Sequence, residues 1–199
     1  MGVKQTFTVI CLFLVVLCGC ATVSSGDDSV KWSPAYIKQP IMGKGKKSAT
    51  QLQAFFASEN PRGDFARAER LAHLYIAEAM AEGVNSDVAF VQMCLETGFL
   101  QFGNLVKPEW NNFCGLGAID KDNPGLVFET EELGVRAHIQ HLKAYGSPEA
   151  LVNPLVDPRY KYVNPKGKSP TVEGLAGTWA ADRNYAKKLS FLLQKLSRR

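Results

Sequence analysis

Apolar side chains return at three- and four-residue intervals along most of this chain, and glycines, prolines and capping residues cut the pattern into helices. The spacing predicts a first helix from Ala49 to Ala57, stopped by Asn60-Pro61. A second runs from Asp64 to Glu82, where Phe65, Ala68, Leu71, Ala72, Tyr75, Ile76 and Ala79 form an amphipathic stripe, and Gly83 closes it. Val88 to Leu95 is apolar almost all round, as expected of a helix buried in a core. Asn85 or Ser86 caps that helix and Gly98 ends it, which puts Glu96 in its last turn. From Ala118 to Phe128 the chain is rich in Gly and Asp and suits a hairpin or loop better than a helix. Leu133, Val135, Ile139 and Leu142 mark a further helix stopped at Gly146. A loop with Pro154, Pro158 and Pro165 follows, and the final helix covers Asn184 to Leu196. Together these elements predict an α+β, mainly α, domain with a small β-hairpin lobe.

The N-terminus follows a different pattern. Lys4 precedes an apolar stretch from Phe7 to Leu17, too short to span a bilayer comfortably and typical of a secretory signal peptide. Its end, Leu17-Cys18-Gly19-Cys20, resembles a bacterial lipobox, which implies cleavage before Cys20 and lipid on that residue; an ordinary cleavage near Gly19 or Ala21 is the alternative. Residues 1–19 are then the signal peptide. Residues 20–48, polar and broken by Pro34, Pro40, Gly43 and Gly45, form a lipidated tether in which Trp32, Tyr36 and Ile37 are candidates to dock on the domain. The domain proper is residues 49–199. Each buried methylene of an acyl chain contributes roughly 0.8 kcal/mol, so a multiply acylated Cys20 is a durable membrane anchor. The implied location is the cell envelope, facing the periplasm or the exterior.

Composition adds little beyond this. With 199 residues, 46% hydrophobic and 21% charged, the chain has room for one domain with a good core. Its net charge of +4 is too small an excess to assign a nucleic-acid partner. Cys11 and Cys18 leave with the leader and Cys20 is modified, so Cys94 and Cys114 remain, either as two buried thiols or as a bridge. His138 and His141 lie three apart on one helix, but no Cys or His nearby completes a ligand set, so neither a metal nor a cofactor is assigned.

The chemistry centres on Leu95-Glu96-Thr97-Gly98 and the later run Asn111-Asn112-Phe113-Cys114-Gly115-Leu116-Gly117. A carboxylate at a helix C-terminus opposes the dipole, and apolar neighbours make it costly to ionise. Both effects raise its pKa, which suits a general acid; a surface Glu at a frayed helix end is the plain alternative. Asn111 and Asn112 are candidate substrate ligands, with capping of the turn an equal alternative for one of them. Phe99, Trp110 and Phe113, with Phe102, are candidates for a stacking surface.

Three ordered blocks resemble the bacterial glucosaminidases of glycoside hydrolase family 73. They are Val91-Gln92-Met93-Cys94-Leu95-Glu96-Thr97-Gly98-Phe99, Asn111 to Gly117, and Trp179-Ala180-Ala181-Asp182-Arg183-Asn184-Tyr185-Ala186, within roughly residues 66 to 197. The resemblance implies a lysozyme-like fold and hydrolysis of the β-1,4 bond after N-acetylglucosamine in peptidoglycan by a monomer. Glu96 takes the place of the family's catalytic Glu and Tyr185 that of its Tyr. The second catalytic group, in members that carry one, comes from the hairpin lobe. Glu129 is the candidate here, with Asp120, Asp122, Glu131 and Glu132 as rivals, because the lobe looks shortened and its acidic motif is not clean. Without a second carboxylate, the substrate's own acetamido group is left as nucleophile, with Tyr185 able to orient it. A lytic transglycosylase of the same fold and a non-catalytic wall-binding lipoprotein are the competing readings.

Overall fold

The computed structural model describes residues 33–103 and 105–199; the expected signal peptide, Cys20 and Trp32 lie outside the described residues. Five α-helices carry the fold: α1 (Ala49–Glu59), α2 (Phe65–Glu82), α3 (Ser86–Glu96), α4 (Glu131–Gly146) and α5 (Tyr185–Ser197). Four of the five starts have a side-chain cap. Ser48 and Gln51 form a reciprocal capping box on α1, and the Asp64, Asn85 and Thr130 side chains accept backbone N–H groups of α2, α3 and α4. Gly83 ends α2 in a left-handed conformation (φ 70°), which glycine adopts without steric cost.

The apolar stripe of α2 and nearly the whole surface of α3 meet α1, α4 and α5 in one core, where Leu52, Phe55, Phe56, Leu71, Tyr75, Phe90, Met93, Ile139, Leu142 and Leu189 are fully buried. A buried ion pair, Lys143 Nζ to Glu82 Oε2 at 2.9 Å, ties α4 to the end of α2. Glu82 also accepts the Val152 and Asn153 N–H groups, so its lone pairs are used as its burial demands.

Two expectations are corrected. The segment 33–48, read as tether, packs on the helices: Ile41 is fully buried, Pro40 bridges Thr171, Met42 bridges Val84, and the Lys46 and Lys47 N–H groups bond Asp87. Apolar Ile41 and Met42 drive this docking, so the folded unit begins before residue 49. The β-hairpin lobe is reduced to a single antiparallel bridge, Ala118 to Pro124, with no strand among the described residues. The Asp120 side chain takes the Asp122 and Asn123 N–H groups for a tight turn, which replaces a ladder.

Candidate active site

Glu96 is the last residue of α3, and the turn after it is held open by its own neighbours. The Thr97 hydroxyl donates to the Met93 carbonyl at 2.8 Å and accepts the Leu100 N–H at 2.9 Å. Gly98, Phe99 and Leu100 then follow one another in the left-handed region (φ 56°, 55° and 62°). Such backbone is unfavourable for Phe and Leu. Here it is over-determined: Phe99 packs its ring on Phe55 and Phe56 at 5.9 and 6.0 Å, and its carbonyl accepts the Asn60 amide. The reversal sends Phe102, Leu105 and Val106 round one side of a cleft of about 290 Å³. Glu96, Asn112, Cys114, Gly115 and Trp179 line the rest, and among the described residues Glu96 is the only carboxylate in its wall.

One oxygen of Glu96 is fully engaged. Oε1 accepts the indole N–H of Trp179 at 2.8 Å and the hydroxyl of Tyr185 at 2.5 Å. Burial pushes the Glu96 carboxyl above the usual range, and these two donated bonds pull it part of the way back. The result is an acid that keeps its proton to higher pH than an exposed Glu and sits beside a cleft. Trp179 is fixed from behind by His138, His141 and Tyr145, with ring centroids 5.7, 5.2 and 5.3 Å away. His141 is in turn held by the fully buried Asp157 at 2.7 Å.

The remaining candidates take other places. Tyr185 is brought to Glu96, but its hydroxyl is buried and shared between Glu96 and the Gln92 amide N–H at 2.9 Å, so it acts on the acid rather than reaching toward a sugar. Phe113 is fully buried under the Arg67 guanidinium and offers no face for stacking, a correction. Asn112 lines the cleft, yet its amide is consumed by the Leu116 N–H and by the Leu116 and Leu126 carbonyls; it clamps the loop, which is the turn-capping alternative and corrects the substrate-ligand one. Asn111 is left-handed (φ 51°) and is held between Arg67 and the Phe128 carbonyl. Phe99 packs into the core, and Trp110, half-buried beneath Lys107, is not in the cleft wall. Glu129 is exposed and outside that wall; Glu131 and Glu132 are tied to Arg67, Arg70 and Arg136. Cys94 and Cys114 are free, buried thiols whose pKa burial drives up.

Sequence reasoning gave no role to Trp179, Gln92 or Arg67. Gln92 carried a signal, as the lone amide one turn before Glu96 in an otherwise apolar helix. Arg67 carried none, because its partners Glu131, Pro108 and Asn111 are distant in sequence.

The Glucosaminidase family model, described as mannosyl-glycoprotein endo-beta-N-acetylglucosaminidase, matches residues 72–198. A Borreliella burgdorferi protein of uncharacterized function is 40% identical over 156 residues, which cover 78% of this chain and 76% of that protein. Among solved structures, S. aureus autolysin E shares the fold with a TM-score of 0.55 and 16% identity, over 83% of this chain and 73% of its own. Its complex with the muropeptide NAM-L-Ala-D-iGlu superposes with a TM-score of 0.54 and 15% identity, over 82% and 72%.

Proposed function

This chain belongs to the glucosaminidase family, and from that premise we propose that it is a peptidoglycan hydrolase which cleaves the β-1,4 bond after N-acetylglucosamine, with Glu96 as general acid. The observation that carries the reading is a half-buried carboxyl in a cleft wall, raised in pKa and held by Trp179 and Tyr185. Glu96 gives its proton to the glycosidic oxygen as the bond to the anomeric carbon breaks. No second carboxylate lines the cleft among the described residues. The nucleophile in this proposal is therefore the carbonyl oxygen of the substrate's own 2-acetamido group. It closes on the anomeric carbon, and water then reopens the ring with retention of configuration. Glu129, outside the cleft wall, is dispensable to that route. The envelope location belongs to the same proposal, with the mature chain anchored through lipid on Cys20.

Digestion of purified glycan strands followed by mass spectrometry tests the reaction. Reducing N-acetylglucosamine ends are expected. A 1,6-anhydro end would instead mark a lytic transglycosylase, and absence of products a wall-binding protein. Glu96→Gln keeps the shape and removes the proton, so turnover should fall by about 10²–10⁴-fold with glycan binding retained. Activity within a few-fold of wild type would end the assignment. NMR of the first-formed product should show the β-anomer. An initial α-anomer, together with a severely impaired Glu129→Gln, would replace the acetamido route by a base-activated water.

A further inference from the structure

Behind Glu96 runs a continuous line of buried hydrogen bonds that the general-acid step does not itself require. Tyr185 Oη meets Glu96 Oε1 at 2.5 Å, Gln92 Nε2 meets Tyr185 Oη at 2.9 Å, Gln92 Oε1 meets His138 Nε2 at 3.1 Å, and His138 Nδ1 meets Tyr75 Oη at 2.7 Å. The line crosses the core from α5 through α3 and α4 to α2, and Gln92, His138 and Tyr75 are fully buried. Each group in it can bond in two ways, but the bonds are linked, so the whole line has only two self-consistent polarities.

In one polarity Tyr75 donates to His138 Nδ1, His138 donates from Nε2 to Gln92, Gln92 donates to Tyr185, and Tyr185 donates to Glu96. In the other every bond is reversed, the acid proton sits on Glu96 Oε1, and Tyr75 becomes an acceptor. The far end decides between them. Tyr75 Oη has no hydrogen-bond partner among the described residues other than His138. The reversed line would therefore strand its hydroxyl proton in an apolar core, which is costly, whereas the forward line gives every hydroxyl and ring N–H in it an acceptor. The near end agrees, because Trp179 can only donate and already donates to Oε1.

We propose that Tyr75, through His138, Gln92 and Tyr185, sets the direction of this line and so keeps the acid proton of Glu96 on Oε2, the oxygen left for the cleft. Tyr75, His138 and Gln92 are positioning residues, acting through Tyr185 without touching substrate. The line needs a neutral imidazole, since an imidazolium would donate from both nitrogens and face Tyr75 with the wrong polarity. Burial, helped by the neighbouring His141, depresses His138 to about 3, so the ring stays neutral. The groups facing it are Tyr75 from α2, Gln92 from α3, His141 on its own helix and Trp179, and His141 is bonded to Asp157. Around Glu96 the titratable neighbours are Tyr185, Cys114 and Tyr75, all of which burial holds in the protonated form.

The proposal rests on Glu96 being the acid, and the test separates the two claims. Nitrogen-15 NMR of His138 in the folded chain needs no substrate. It should show one neutral tautomer protonated at Nε2, unchanged from pH 5 to 8; protonation at Nδ1, or titration in that range, overturns the proposal. Tyr75→Phe removes a single oxygen outside the cleft wall. It should release the tautomer into a mixture and lower kcat roughly fivefold or more at unchanged KM. An unaltered tautomer and kcat in Tyr75→Phe overturns it. Gln92→Met, of similar shape, interrupts the line elsewhere, and the double variant Tyr75→Phe/Gln92→Met should be no slower than Gln92→Met alone. Full additivity would mean that the two act separately and would also overturn it. If wild type cleaves no glycan, the hydrolase reading fails, while the tautomer measurements still decide the line.

Discussion

At the scale of single residues the site is an exercise in balancing burial against donors. Glu96 loses water to the core and gains only two hydrogen bonds on one oxygen, so its net shift is upward. The same imbalance has a consequence for folding. A carboxyl whose folded pKa lies above its unfolded one contributes stability that is complete below the ordinary Glu range and is lost as pH rises through the folded value. Glu96→Gln removes that loss. Thermal melts should therefore show the variant above wild type at pH 7.5, with the gap closing at about pH 3, where Glu96 is protonated in the folded and unfolded chain alike. An equal or lower melting temperature at pH 7.5 would mean that Glu96 ionises without cost. This balance was partly legible in the sequence: an acid at the end of an apolar helix is visible as a pattern. The two donors were not, since Trp179 and Tyr185 stand 83 and 89 residues away and only the fold brings them to one oxygen.

Between elements, the helices are legible because most carry a capping residue or an apolar periodicity of their own, and the observed ends fall within a residue or two of the expected ones. The segment from Ala118 to Phe128 is not, because a hairpin and an Asx-turned loop draw on the same Gly, Asp and Asn residues. The aromatic assignments fail for a related reason. Phe113 and Phe99 look alike in sequence whether they face a sugar or the core, and packing against Arg67 in one case and Phe55 in the other decides it. One glycine marks where two elements meet. Gly134, in the first turns of α4, lies against the Asn111 backbone, and a Cβ there would come within 1.8 Å of the Asn111 carbonyl oxygen. That atom belongs to a left-handed residue also tied through its side chain to Arg67 and Phe128, so it has little room to give. Gly134→Ala should therefore displace the loop 111–117 and its Asn112 clamp from the cleft. The expected readout is a destabilisation of about 2 kcal/mol or more in urea unfolding, with kcat/KM reduced. A variant as stable and active as wild type would show the loop to be more compliant than its contacts suggest.

For the whole molecule, two helices set where the cleft stands relative to the point at which the described chain begins. The first turn of α3 carries Asp87, which holds the Lys46 and Lys47 N–H groups, and the helix ends at Glu96. α5 runs the other way, from Tyr185 at the acid to Gln194 and Ser197, which bond Ser33 and Tyr36. Chain entry and acid are thus a helix length apart, roughly 16–20 Å at 1.5 Å per residue. With the lipid on Cys20, as proposed, the intervening residues have a maximal reach of roughly 40 Å. An anchor of that reach would confine the domain to glycan near the membrane. The anchor should then govern where the enzyme works and leave its chemistry alone. Cys20→Ser should shift the protein from the membrane to the soluble fraction and remove acyl mass from the mature N-terminus. The purified domain should keep its rate on solubilised glycan, because among the described residues the segment 33–48 takes no part in the cleft wall, while cleavage of wall next to the membrane falls. Unchanged fractionation would show that Leu17-Cys18-Gly19-Cys20 is not a lipobox. A lower rate on soluble glycan would show that the segment before Ser33 contributes to the site itself.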